Sequence, residues 1–367
     1  MQFLMGREEF LKGLGVVGGV VEKRQSKPIL AHILMSAADG VVTMTGTDEE
    51  IEMVVQGLVE VREPGAVAVP ARKLLDIVRA LPSESVIRAQ TEEGRLRVSV
   101  GKSRFQLSTQ PAEDFPNLAH MEWDMSLELT RGQLRRVIEK TQFCMAQQDV
   151  RFYLNGLMLE TLPGSLKAVG ADGHRLAMCM VEVENKELQE KQVIVPRKAV
   201  VEMLRFLGND TGPVEVSFSS NHMRVQQDDM VFVTKLIDGR FPDYHRVIPS
   251  VVKEEVVLGR LAFREMLARV GVVSTDKFRG IRLEFKENVV VASARNPDQD
   301  EAVEEIENDA PLPSLEMGFN VMYLLEAIGA IESDHIRFGW NEGQSGYRLR
   351  PIGDDEGQVY VVMPVRL

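Results

Sequence analysis

The chain has 367 residues, 44% of them hydrophobic and 27% charged, with a formal net charge of −12. That is the balance of a globular protein of two or three domains, and it excludes a fibrous repeat, a disordered chain and, because apolar runs such as "VVLGRLAF" are short, a membrane span. Two cysteines, Cys144 and Cys179, offer neither a disulfide framework nor a thiolate metal site, and the acidic total taken alone argues against nucleic acid.

The N-terminal stretch "MQFLMGREEFLK" lacks the basic start and cleavage site of a secretory leader, so the expected location is cytoplasmic. Apolar spacing predicts a first helix over 7–17, "REEFLKGLGVV". Alternating runs in "ILMSAADGVVTMTGTDEEIEM" predict strands, and a second helix follows over 70–81, within "VPARKLLDIVRAL". Further strands lie in "LRVSVGKSRFQLST", and the Phe-Pro of "EDFPNL" marks a strand end and a linker.

The same order then returns twice. Helices over 131–141 and 260–270 match the first, with Phe10, Leu134 and Phe263 in step, as are Leu14, Ile138 and Leu267. Helices over 196–207 and 320–331 match the second through Leu74, Val200 and Leu324 and the acids Asp76, Glu202 and Glu326. A period of roughly 120 to 130 residues is that of a domain rather than of a solenoid repeat. The expected fold is therefore α+β, in three copies of one plan over 1–120, 121–249 and 250–367.

The most chemical-looking stretch is "VGADGHRLAM", where Asp172, Gly173, His174 and Arg175 adjoin. The matching place in copy one is "GTDEEIEM" and in copy three "SARNPDQDEA", so this is a strand-to-strand turn in all three. Asp suits such turns because its side chain bonds nearby backbone. His174 and Arg175 have no counterpart and are what copy two has specialised. A hydrolase would need a nucleophile or ligands nearby, whereas the six histidines are scattered, so the reading expects no catalysis, no metal and no cofactor. The open alternatives are a hydrolase using Asp172 and His174, or a protein-only scaffold.

Charge is segregated. The six predicted helices carry fifteen lysines and arginines against seven acids, which leaves the rest of the chain strongly acidic. Helices accept Glu as readily as Lys, so propensity does not explain the bias. Basic helices lining one surface suit sequence-independent phosphate contact, and without an aromatic stacking platform the better fit is a duplex held by its backbone.

With these features the chain resembles the bacterial sliding clamp family, the β subunit of DNA polymerase III. The likeness rests on "KPILAHILM", "VPARKLLDIVRALP", "SRFQLSTQPAEDFPNL", "RFYLNGLMLE", "ADGHRLA", "GRFPDYHRVIP", "DKFRGIRLEF" and "YVVMPVRL", in order and spacing. It implies a head-to-tail homodimer of three clamp-type domains per subunit, closing a pseudo-sixfold ring on duplex DNA, with helices inside and sheets outside. It also implies a hydrophobic groove that captures short linear motifs of polymerases, the clamp loader and repair proteins. Carried over by motif, the groove uses Arg151, Leu154, Gly173, His174, Arg175, Leu176, Pro242, Arg246, Val247, Val361, Val362, Met363, Pro364, Val365 and Arg366. Ala171 stands where the family usually has Thr, and Val365 where Met is common. The DNA-contacting residues implied are Arg24, Arg72, Gln148, Arg197 and Lys198, although for Arg24 and Gln148 a solvated loop is the plain alternative. The expected dimer contact joins Phe105 and Leu107 of copy one to Val272 and Val273 of copy three.

Overall fold

The computed structural model describes residues 1–21, 27–116, 122–209, 211–274, 279–341, 346–353 and 357–366. Copy one runs β1 (Gln2–Gly6), α1 (Arg7–Val17), β2 (His32–Ala38), β3 (Val41–Thr47), β4 (Ile51–Leu58), β5 (Glu60–Glu63), β6 (Gly65–Pro70), α2 (Ala71–Ala80), β7 (Val86–Glu92), β8 (Arg95–Val100) and β9 (Ser103–Ser108). Copy two runs β10 (Met125–Thr130), α3 (Arg131–Glu139), β11 (Gly156–Leu162), β12 (Ser165–Ala171), β13 (Arg175–Glu182), β14 (Lys191–Pro196), α4 (Arg197–Leu207), β15 (Pro213–Phe218), β16 (His222–Gln227) and β17 (Met230–Lys235). Copy three runs β18 (Glu254–Gly259), α5 (Arg260–Val270), β19 (Gly280–Lys286), β20 (Val289–Arg295), β21 (Glu301–Glu307), β22 (Leu315–Asn320), α6 (Val321–Ala330), β23 (His335–Trp340), β24 (Tyr347–Pro351) and β25 (Gln358–Val362). Every predicted helix is present. The third is two residues shorter than expected because Thr141 turns its hydroxyl back onto Val137 O and the chain tightens into a 3-10 turn at Gln142–Cys144.

Two compact units form, 1–132 with 201–236 and 133–200 with 237–367, so copy two contributes to both. The first holds sheets ordered β5-β1-β7-β8-β9 and β10-β15-β16-β17-β4-β3-β2-β6, the second β14-β11-β12-β13-β25-β24-β23-β18 and β21-β20-β19-β22. Each eight-stranded sheet is continuous across a copy boundary: β17 pairs antiparallel with β4, setting Phe232 opposite Met53, and β25 with β13, setting Tyr360 opposite Ala177. Such pairing satisfies backbone groups that an edge strand leaves open.

The repeat extends to single hydrogen bonds. The first helix of each copy begins with an arginine whose N–H donates to the loop after the second helix: Arg7 to Ser85 O, Arg131 to Gly212 O and Arg260 to Asp334 O, at 2.8–2.9 Å. After its last strand each copy crosses to the strand before its second helix, by Gln110 N to Ala68 O, Ile237 N to Ile194 O and Val365 N to Gly318 O. The helices bury their apolar stripes against the sheets. In the second unit Phe263, Met266, Leu267, Leu324 and Ile328 pack on Phe285, Phe319, Phe338, Trp340 and Tyr347, whose rings meet largely edge to face. Each such side chain contributes about 1.5–3 kcal/mol by burial.

Candidate functional site

The turn at Asp172 is structural, as its position in the repeat requires. Its Oδ1 accepts from the backbone N–H groups of His174 (2.9 Å) and Arg175 (3.0 Å), while Asp48 does the same for Glu50 and Ile51 in copy one. In copy three Asn296 accepts from Asp300 N across a turn one residue longer. What copy two adds is the set of side chains hung on this turn.

Arg175 is the inward one. Its Nε bonds Asp172 Oδ2 at 3.0 Å, its Nη2 donates to Phe143 O at 2.7 Å, its Nη1 pairs with Glu326 on α6, and its guanidinium lies 4.4 Å from the Tyr323 ring centre. The arginine therefore ties copy two to copy three within the second unit. Beside it, burial pushes the Cys144 thiol far above its ordinary range, so this cysteine is a small hydrophobe and not a nucleophile.

Arg151 is the outward one. Asp149 grips it through both carboxylate oxygens, at 3.0 and 2.8 Å, and the Arg151 side-chain hydrogen bond holds the Asp149 carboxyl down at about 2. Its Nη2 reaches Asp172 O at 3.2 Å. Gly173, at φ +90°, leaves room for it: a Cβ there would stand 2.8 Å from Arg151 Nη2.

Between these arginines opens an apolar cavity of about 160 Å³, lined by Arg151, Leu154, Ala171, Gly173, Arg175, Leu176, Phe241, Pro242, Tyr244, Val247 and Met363. Its floor is a buried cluster that includes Met158, Val169, Ile194 and Val361. One wall is fixed from behind: the Tyr244 hydroxyl donates to Glu160 at 2.6 Å, and Lys167 reaches both at 3.0 Å. Burial and the Glu160 bond raise the Tyr244 hydroxyl, which stays protonated. For Glu160, burial alone would raise the carboxyl, but bonds from Tyr244, Gln192 and Lys167 hold it below its usual range.

Eight of the fifteen expected groove residues therefore line the cavity directly. The others do not face into it. Val361 and Val362 are buried in β25, a central strand, with Val361 in the cluster beneath the cavity. The His174 ring stacks toward Tyr323, 6.4 Å centre to centre, and Arg246 is exposed and paired with Asp243. Neither they nor Pro364 line the cavity, while Val365 and Arg366 line a different one on copy three. The lining residues missed, Phe241 and Tyr244, lie within "GRFPDYHRVIP", the motif that supplied Pro242, Arg246 and Val247.

Among the residues expected to contact DNA, Arg24 lies outside the described residues. Arg72 is exposed on α2, and Gln148 is exposed in a left-handed backbone conformation at φ +56°. Arg197 is half-buried with Nη1 on Met145 O, and Lys198 is half-buried beside it. Of the expected dimer residues, Phe105 and Leu107 lie on β9, with Leu107 already buried in its own copy; Val272 is 81% exposed in a 3-10 turn after α5, and Val273 is half-buried. Among the described residues no cluster of His, Cys, Asp or Glu could hold a metal, and no helix is long and apolar enough to cross a membrane.

An α+β chain of three repeats joined by continuous sheets, with an apolar cavity on a specialised turn, defines a class of clamp-fold proteins. Comparison with known proteins gives the family. The DNA polymerase III beta subunit matches in all three of its domains, the N-terminal at residues 1–119, the central at 128–243 and the C-terminal at 245–366. The beta sliding clamps of Pseudomonas putida and Escherichia coli K12 are 44% and 42% identical to the chain, each covered in full. The crystal structure of the Pseudomonas aeruginosa clamp bound to griselimycin superposes with a TM-score of 0.95 at 42% identity, and that of the Caulobacter crescentus clamp with 0.94 at 33%, both over the whole of each chain. The chain belongs to the DNA polymerase III beta-subunit family, the bacterial sliding clamps. Its function is that of a non-catalytic processivity factor in DNA replication.

Proposed function

We propose that two copies of this chain close head to tail around duplex DNA in the cytoplasm, with domains meeting near residues 120 and 249. The cavity at Asp172 would tether the polymerase, the clamp loader and repair proteins by short linear motifs. The observation that carries the ring is the junction repeated inside the chain. At each internal boundary the last strand of one copy pairs with the strand after the Asx turn of another, while β9 and β21, the equivalent strands, end their sheets. If the internal register extends to this contact, the partner's Phe105 would stand opposite Ala302, as Phe232 stands opposite Met53 and Tyr360 opposite Ala177. The partner's Lys102 would then stand opposite Glu305. Tyr360 also stacks on Phe143, 6.0 Å between centres, and the position equivalent to Phe143 is the exposed Val272. A heterologous contact of this kind closes by rotation into a ring.

The groove reading rests on the cavity itself, whose size suits one large apolar side chain and whose rim offers guanidinium and backbone groups to fix direction. Met363 suits a site with varied occupants because its thioether is flexible. Arg72, Gln148, Arg197 and Lys198, together with Arg24, are proposed to meet the phosphate backbone. The test is topological. Protein loaded on a closed circle should survive salt that releases it from a linear duplex, where it can slide off the ends, although salt weakens phosphate contacts in both. Equal release from circle and line would refute encirclement.

A further inference from the structure

The repeat assigns a counterpart to the groove in copy three, and its chemistry is reversed. Where copy two has Met158, Ala171 and Leu176, the register of the matching strands puts Arg282, Arg295 and Glu301. With Arg279 and Arg366 these line an open cleft of about 840 Å³. Four guanidiniums against two carboxylates, Glu301 in the lining and Glu316 on Arg282, leave a local basic excess in a chain whose total is −12.

Carboxylates of the chain itself already meet two of these arginines. Arg295 Nε pairs with Glu301 at 3.2 Å and Arg282 Nη1 with Glu316 at 2.7 Å. These exposed pairs are weak and exchangeable. An incoming carboxylate can take their place, and a guanidinium can hold it through two N–H groups. The cleft also adjoins the groove along one tail: Met363 lines the groove, whereas Val365 and Arg366 line the cleft. Two extended residues span on the order of 7 Å, within reach of a single peptide. Pairing of β21 with a partner strand would leave the cleft accessible, because β13 is paired on both sides and Leu176 still lines the groove.

We propose that this cleft binds acidic residues flanking the apolar anchor of the segments that fill the groove, which makes the favoured partner motif an anchor with acidic neighbours. The inference rests on the peptide reading of the groove. Two labelled peptides test it by fluorescence polarisation, one a bare Leu-Leu-Phe core and the other the same core with four glutamates on each side. The extended peptide should bind roughly tenfold tighter at low salt and lose that gain at high salt, as screened carboxylate contacts do. In the full-length Arg282→Met, Arg295→Ala double variant, checked for an unchanged urea midpoint, the two peptides should bind alike; Arg295→Ala alone should give part of the loss. A gain that survives the double variant, or no gain at all, overturns the proposal. Loss of affinity for a 20-base-pair duplex without loss of the peptide gain would make this a phosphate site and overturn it equally. Should neither peptide bind, the groove reading fails, and a labelled hexaglutamate decides the cleft separately: binding that the double variant abolishes supports it, and binding unchanged or absent sinks it.

Discussion

Inside the chain, the junction of β13 with β25 is closed; β21 and β9, built on the same plan, end their sheets. At the closed junction a half-buried arginine and a stacked aromatic pair hold the two copies, through Arg175 with Glu326 and Phe143 with Tyr360. At the ends the equivalent positions carry an exposed Val272 and a half-buried Phe105. On the proposed ring, one register would serve two ends, permanent association where the copies are covalently linked and a contact that can open where they are not. In that proposal the open edge would depend on apolar contact and a rim of charge, without a counterpart of the Arg175 latch.

That contrast is broken most sharply at the latch. Arg175→Ala leaves the Asp172 and Glu326 carboxylates without their shared partner and frees Phe143 O, so urea unfolding of the full chain should show a loss of about 2 to 3 kcal/mol, the scale for losing hydrogen bonds to a charged, half-buried group. A loss below about 1 kcal/mol would mean that the strand pairing alone holds the two copies together.

The open edge should respond in association instead. Val272→Ala with Val273→Ala should weaken the dimer by about 2 kcal/mol, roughly thirtyfold in dissociation constant, with the urea midpoint of the monomer little changed. Light scattering over a dilution series reads this. A dimer that persists unchanged at low concentration would place the contact elsewhere.

Met363→Ala tests the cavity between these regions. Truncating a wall residue should cost a bound apolar peptide about 2 kcal/mol by calorimetry, with oligomeric state and stability intact, since Met363 is only half-buried at the end of the last strand. Undiminished affinity would leave the cavity without its proposed occupant.

Much of this was legible in the sequence, for physical reasons. Helices at a domain-length period announce themselves by apolar spacing, and the Asx turn by its repetition at Asp48 and Asp172. The cavity was visible only in part. Arg151, Gly173 and Met363 are far apart in the chain, and a family motif located them, but a motif does not say which way a strand faces. Val361 and Val362 belong to a motif that does line the site at Met363, yet β25 is central to its sheet and buries them. Tyr244 was missed because its importance depends on Glu160 and Lys167, some eighty residues earlier, which no local pattern links to it.

The smallest effect expected is in the Arg151 clamp, and it has a definite sign. Asp149 has its carboxyl held near 2 by the Arg151 hydrogen bonds, against about 3.9 for an unperturbed aspartate. A depressed folded value means that the clamp's contribution is fully present above about pH 4 and is lost as the pH falls through 2, with nothing changing between pH 5 and 8. Both partners face solvent, so the contribution to stability is minor, but the clamp also sets the cavity rim: Arg151 lies over Gly173 because Asp149 points it there. The carboxyl carbon of Asp149, followed by NMR, should titrate near 2 in the intact protein and move back toward 3.9 in Arg151→Ala. An unshifted titration in the intact protein would mean that Arg151 is not clamped in solution and is available to turn toward an incoming peptide.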